Sequence, residues 1–302
     1  LKDDSNKYIA NTYQTRFTLD YAQAYVSYDS YYGAQAMAMF IFSDILGDHR
    51  IGLATEMQID FKESDYFLFY RYLKKRINHE ILLYHQAYKS NYQLDYLNNK
   101  ERYLLNRNIG VNYTFFAPLS RFSRFEGGLS FDHLINEGLE IDYYLGNETT
   151  TSLDSYNIFK PYLKYVRDNT RWFYLYPVSG TRSYLKYEII PKNNINDYVF
   201  ETFTIDFRKY YELSFKSKIS FASRIFFGSS WGKDKRNFGL GGGPWLSSNT
   251  RDMINPNYQA PAYDNYYFMN NFIYPIRGFP MATKSGSKVL MMNYELRLPF
   301  LM

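Results

Sequence analysis

Most of the chain is built from segments of about ten residues in which apolar and polar side chains alternate. In the segment 202–208, for example, Phe203, Ile205 and Phe207 would lie on one face of a strand and Thr204 and Asp206 on the other. Breaks rich in Gly, Asn, Asp, Pro and Lys separate the segments, so the pattern predicts about twelve strands. The predicted strands lie near 14–28, 33–45, 49–60, 65–75, 79–90, 106–117, 122–134, 154–167, 181–190, 197–210, 213–230 and 286–300.

The composition indicates the surroundings of these strands. The 302 residues include 34 Tyr and 25 Phe, and 21% of the chain is aromatic, yet the mean hydropathy is negative at -0.46. The longest uncharged stretch, 31–43, is too short for a spanning helix, which needs about 20 residues. Strands that face lipid with alternate residues have this profile. We therefore expect an all-β fold, an antiparallel transmembrane β-barrel whose partner is membrane lipid.

Charge and cysteine content exclude other classes of protein. The net charge of +5 is spread along the chain without a dense Lys/Arg block, so we expect no nucleic-acid partner. The absence of cysteine fits an oxidising compartment.

No set of residues indicates catalysis. The four histidines are scattered, and His79 and His85, six positions apart, would lie about 20 Å from each other on a strand, too far to share a metal. Acidic pairs such as Glu126 with Asp132 and Glu137 with Glu140 are typical of lumens and turns, and the chain has neither a nucleophile elbow nor a phosphate loop. We expect a protein that is not an enzyme and needs no metal or cofactor.

The last long connection carries an ordered set of motifs. Trp231 and the cluster Gly241-Gly242-Gly243 precede a loop rich in Asn and Tyr, which contains Ile276-Arg277-Gly278-Phe279 before the strand that follows. A guanidinium such as that of Arg277, on a loop folded into a barrel lumen, can bind a wall carboxylate in bidentate fashion, and Gly278 would permit a tight turn beside it.

These motifs resemble the barrel domain of the BamA/TamA superfamily, the bacterial surface antigens, over roughly 172–300. The segment 176–181, with Pro177 and Gly180, is similar to the family's turn into its ninth strand, and 208–211 to the turn after the tenth. The residues Ile276, Arg277, Gly278 and Phe279 resemble the signature of its sixth external loop, and the glycine cluster Gly241, Gly242 and Gly243 precedes that loop. The insertion 244–275 departs from the family pattern.

The resemblance implies a domain organisation. The family's barrel has about sixteen strands, so 13–302 is expected to be an outer-membrane β-barrel domain that is incomplete at its C-terminus, and 1–12 a linker from a missing N-terminal region. The segments 36–40 and 43–49 are similar to the start of barrels that follow a TolB-like β-propeller in Gram-negative proteins.

The resemblance also implies a function at the bacterial outer membrane, namely insertion, assembly or export of proteins. In the family the first and last strands of the barrel meet at a weak seam, which opens so that an incoming strand can pair with the free edge. Here the first strand of that seam would be 16–28. Partners would be unfolded outer-membrane proteins or accessory periplasmic proteins. Two alternatives stay open. One is a passive pore or solute transporter, and the other is an anchor or exporter for an N-terminal propeller or enzyme domain.

Overall fold

A computed structural model describes residues 13–29, 33–58, 60–95, 100–142, 146–174, 176–240, 270–273 and 284–298. Strands dominate these residues, and the one helical element is a single 3-10 turn over Phe61–Glu63. Within the described residues, no helix has the length and apolar character needed to cross a membrane.

The strands in chain order are β1 Phe17–Asp29, β2 Gly33–Asp44, β3 His49–Met57, β4 Asp65–Tyr72, β5 Asn78–Asp95, β6 Lys100–Ser120, β7 Ser123–Asp142, β8 Asn147–Asp168, β9 Arg171–Phe173, β10 Tyr176–Ile190, β11 Phe200–Ser214, β12 Ile219–Gly232, β13 Asn237–Leu240, β14 Asn270–Ile273, β15 Lys284–Gly286 and β16 Lys288–Arg297.

One large sheet contains most of them. Its order is β1-β2-β3-β4-β5-β6-β7-β8-β10-β11-β12-β16, and β9 adds to the start of β10. Every neighbouring pair in this path is antiparallel. The predicted all-β, antiparallel, barrel-like fold is therefore confirmed, and the sheet path has the predicted number of strands, twelve. Among the described residues, β1 and β16 are not paired with each other.

Four of the middle strands are longer than the alternation predicts. Breaks were expected near 92–104 and 137–152, yet β7 continues to Asp142 and β8 begins at Asn147, with Glu140 opposite Thr149. Residues 147–152 at the start of β8 are all polar, which removes the apolar alternation on that side of the hairpin. The backbone ladder nevertheless continues, because cross-strand hydrogen bonds do not depend on side-chain polarity.

Successive connections lie alternately at the two ends of the sheet. At one end, the turn end, β2–β3, β4–β5, β6–β7 and β11–β12 are joined by 45–48, 73–77, 121–122 and 215–218. At the other end, the loop end, the connections include 191–199 between β10 and β11 and 233–287 between β12 and β16. These two are the longest connections of the sheet, whereas 30–32, 96–99 and 143–146 at the same end are as short as the turns. The pattern of an outer-membrane barrel, with short turns on one side and longer loops on the other, is therefore present in part.

The outer face of the sheet is apolar and exposed. Side chains directly opposite one another form a row across six neighbouring strands, and each is 37% to 46% exposed. The row consists of Phe40, Leu53, Leu68, Leu83, Val111 and Phe131. A second row continues around the sheet through Tyr165, Leu185, Ile205, Phe227 and Leu290.

Aromatic residues are concentrated at the turn end of the outer face. His49 Nδ1 lies 2.7 Å from Tyr70 Oη, and His79 Nδ1 lies 2.8 Å from Tyr113 Oη. Beyond them, Trp172 is exposed. Amphipathic rings at this level are typical of an aromatic girdle.

The four histidines are held by hydrogen bonds instead of meeting at a common point. His85 Nδ1 lies 2.8 Å from the Ser64 carbonyl oxygen, and His133 Nδ1 lies 2.9 Å from Asn157 Oδ1. In the part of the chain that the structure describes, no group of three or more His, Asp or Glu side chains could hold a metal ion.

Candidate functional site on the inner face

Three buried carboxylates on the inner face of the sheet are each bound by two cations. Glu126 on β7 is the first: its Oε1 accepts from Arg124 Nη2 at 2.6 Å and its Oε2 from Lys164 Nζ at 2.9 Å. Arg124 and Glu126 are two positions apart, so a strand places both on one face, while Lys164 lies directly opposite on β8.

Glu188 on β10 is the second shared carboxylate. Lys186, two positions earlier, donates from Nζ to Oε2 at 2.6 Å. Arg236, which follows β12, reaches across the sheet and pairs with Oε1 through its Nη1. Glu188 is only 3% exposed. A carboxylate this deeply buried requires such partners, because an unpaired buried charge is strongly destabilising.

Asp206 on β11 is the third. Arg208 Nη2 and Arg224 Nη2 both lie 2.7 Å from Asp206 Oδ2. Arg224, on β12, lies opposite Arg208, so a single carboxylate holds the two guanidinium groups together.

The strand register arranges these groups into one surface. Lys186 lies opposite Lys164 on β8 and opposite Thr204 on β11. The two lysines extend diagonally over neighbouring rings: Lys164 Nζ is 5.4 Å from the centre of the Tyr184 ring, and Lys186 Nζ is 5.2 Å from that of Tyr162. These cation–π contacts and the carboxylates offset the repulsion between adjacent ammonium groups.

A cavity of about 370 Å³ lies over this surface. Its lining is formed by Glu126, Tyr162, Lys164, Tyr184, Lys186, Glu188, Thr204 and Arg236. The described residues therefore form a polar, charged pocket on the inner face, whereas the outer face is apolar.

The segment 233–240, which we call the inner segment, folds over the same face. Phe238 packs against Phe226, Val289 and Met291, all of which point inward from β12 and β16. Gly228 leaves room for the Phe238 ring, since a Cβ at that position would lie 2.7 Å from the ring atoms. The start of the last long connection is thus attached to the inner wall by a buried aromatic ring and by Arg236.

The β10–β11 connection also bends inward. Tyr198 joins a buried cluster with Ile158, Ile190 and Phe200. Asp197 Oδ2 accepts from the Asn157 backbone N–H at 2.7 Å, which covers part of the β8 edge above the end of β10.

The two inward connections are joined to each other. Val199 N–H donates to Asp234 Oδ2 at 2.9 Å, and Asp234 N–H donates to the Val199 carbonyl at 3.0 Å. The inner segment is therefore held at Asp234, Arg236 and Phe238.

The sequence-predicted loop signature is not tested by this arrangement. Ile276, Arg277, Gly278 and Phe279 lie outside the described residues, as do Gly241, Gly242 and Gly243, the insertion 244–275 and the expected linker 1–12. The contact expected of Arg277, a loop guanidinium on a wall carboxylate, is made by Arg236 on Glu188. The role assigned to Arg277 stays a prediction.

The predicted turn motifs lie within strands. Pro177 and Gly180 belong to β10, and the turn before it is at Tyr174, where φ is +48°. The segment 208–211, expected as a turn, is part of β11, and the turn follows at 215–218. Strand pairing overrides the turn pattern there, because Arg208 and Tyr210 are opposite Arg224 and Ala222 in an unbroken ladder.

Sequence reasoning missed the shared carboxylates, although they leave a signal. Opposite charges two positions apart recur as Arg124 with Glu126, Lys186 with Glu188 and Asp206 with Arg208. In a strand this spacing places both charges on one face. The third partner in each case comes from a neighbouring strand or connection, which the spacing does not reveal.

Comparisons with known proteins show a similarity of fold, and they show no similarity of sequence to a protein family. No protein-family model matches the chain, and no curated protein matches it. Among solved structures, it is similar to the crystal structure of BamA from Haemophilus ducreyi lacking POTRA domains 1-3, with a TM-score of 0.50 and 14% sequence identity. The match covers 72% of this chain and 41% of that one, so the chain spans less than half the length of the BamA chain.

Proposed function

We propose that this chain is the barrel of an outer-membrane protein that takes part in inserting, assembling or exporting other proteins. Location in a membrane is supported by the exposed apolar outer face, on which a row of directly opposed side chains runs from Phe40 to Phe131. The barrel-like fold shared with BamA supports the proposal.

The two faces of the sheet favour lipid outside and water inside. Apolar surface left in water costs about 25 cal/mol per Å², so a contiguous belt of such side chains would promote aggregation of a protein in water. In hydrocarbon the same belt is matched to its surroundings. Interior strands also satisfy their backbone groups through ladders on both sides, which hydrocarbon demands of any spanning strand.

The assembly part of the proposal is supported by the first strand. Residues 17–28 of β1 are exposed on both faces, and β1 lies at one end of the sheet path. A strand with a free edge can pair with an incoming strand through its backbone hydrogen bonds.

Depletion of the full-length protein in its native host tests this function. We expect broad loss of unrelated outer-membrane barrels from the membrane proteome, because a general assembly factor serves many clients. An unchanged proteome, in cells where depletion is verified, would contradict the assembly role. Fractionation of the same cells provides the control, since the protein itself must be recovered with the outer membrane.

A second function, a solute pathway, is favoured by the cationic inner face. Six cations around Glu126, Glu188 and Asp206 would attract anions to a lumen. In planar bilayers, the purified protein would then show channels that are selective for anions. Silent bilayers with verified insertion would exclude an open pore.

A further inference from the structure

We propose that the inner-face cavity between β7 and β11 binds a small solute through a phosphate group. The cavity is the one of about 370 Å³ lined by residues that include Lys164, Lys186, Thr204 and Arg236. Its volume falls within the range of small-molecule sites, about 300–1,000 Å³.

The charge balance around the cavity is the first argument. Of the side chains that line the cavity, Lys164, Lys186 and Arg236 are cationic and Glu126 and Glu188 are anionic, which leaves a surplus of one positive charge. The Arg236 side chain is 13% exposed and those of Lys164 and Lys186 are 28% and 31% exposed, so bulk solvent screens the surplus only in part. A bound anion would reduce the repulsion among the cations.

Lys160 is the second and independent argument. It lies on β8, opposite Ser130 and on the same face as Tyr162 and Lys164. Its ammonium group makes no hydrogen bond or ion pair with the described residues, although the side chain is partly buried. Glu188 and Asp132 attract this ammonium group, and Arg236 and Lys186 repel it. The inner face thus holds beside the cavity a cation that no carboxylate contacts directly, in a place where burial of a charge is unfavourable.

The chemistry of the donors selects the anion. A phosphate ester carries about two negative charges and presents three acceptor oxygens, which suits ammonium and guanidinium donors that converge from several strands. The hydroxyl of Thr204 adds a neutral donor on the cavity wall. Lysine and arginine are also the side chains that proteins use most to bind phosphate.

The site does not depend on the proposed assembly role. It follows from the inner-face side chains alone, so a protein without any client could bind the same solute.

Calorimetric titration of the detergent-solubilised full chain tests the proposal. Glycerol 3-phosphate is the probe, and succinate, a dicarboxylate of similar charge, is the comparison. We expect one site for the phosphate ester and binding of succinate that is about tenfold weaker, because the phosphate presents three acceptor oxygens and each carboxylate only two. Equal binding of the two would overturn the proposal, since it indicates charge attraction without a phosphate site.

Three variants sharpen the test. Lys160→Gln breaks no ion pair and should weaken binding about tenfold. Glu126→Gln removes a competing carboxylate from the cavity wall and should strengthen it. Lys216→Gln, at an exposed position in the β11–β12 turn, should leave it unchanged. Far-UV circular dichroism verifies that each variant is folded. Absence of binding to the folded protein, or equal affinities of Lys160→Gln and Lys216→Gln, would refute the site.

Discussion

Gly180 lies at the point where β10 changes its partner strand from β9 to β8. Its φ is +103°, in the region that favours glycine. Before this point β10 pairs with β9, and from Arg182 it pairs with Asp168 on β8. A Cβ on Gly180 would lie 2.5 Å from the Asn169 carbonyl oxygen, which is a backbone atom that cannot move aside cheaply.

We therefore predict that Gly180→Ala destabilises the protein by about 1–3 kcal/mol, the usual range for a residue forced into a disfavoured backbone conformation. Denaturant unfolding in detergent measures the effect. Gly138→Ala is the matched control in β7, because its nearest neighbours would be 3.9 Å from the new methyl group. Equal stability of the two variants would contradict the steric argument.

The sequence predicted the alternation of residues such as Phe203 and Thr204 correctly, because a strand fixes the direction of each side chain. It did not predict that Glu188 binds Arg236, since 48 positions separate them and only the sheet brings them together. Local spacing determines which face a charge occupies, and tertiary packing determines its partner.

At the scale of an element, the inner segment 233–240 depends on the contact between Arg236 and Glu188. We predict that Arg236→Gln and Glu188→Gln each release it, so that trypsin cleaves faster after Lys233 and Lys235, which are already exposed. The double variant should behave like either single one, because both substitutions break the same contact.

Mass spectrometry of timed digests identifies the cleavage sites. Arg71→Gln, which removes an ion pair with Glu80 elsewhere on the inner face, serves as control and should not change cleavage. If the double variant were cleaved much faster than both single variants, the two side chains would act separately and the proposed contact would be wrong.

Element boundaries were harder to predict than element number. The hairpin of β7 and β8 extends past the predicted break at 137–152, because both faces of β8 are polar over 147–152 while the backbone ladder continues. Conversely, no pattern in the sequence indicates that the connections 191–199 and 233–240 lie over the inner face. Their inward course depends on buried aromatic residues, Tyr198 and Phe238, whose partners are distant in the chain.

For the whole molecule, the fold followed from the sequence because one pattern repeats in most of the strands. Apolar residues at alternate positions require a sheet with one apolar face, and in the structure Leu53, Leu68 and Leu83 lie side by side on that face. The polar face then becomes an interior with shared carboxylates. The apolar outer face is the basis of the proposed contact with lipid, and the charged inner face is the basis of the proposed phosphate site.

The most direct test is site-directed spin labelling of β11 in proteoliposomes. The chain has 0 cysteines, so single cysteines can be introduced without background. Accessibility to oxygen, which partitions into lipid, should be high at Phe203, Ile205 and Phe207 and low at Thr202 and Thr204. A water-soluble nickel chelate should not reach spin labels at positions 203, 205 and 207. If accessibility fails to alternate with a period of two, or if the chelate reaches the outer positions, the outer face does not contact lipid and the account is wrong.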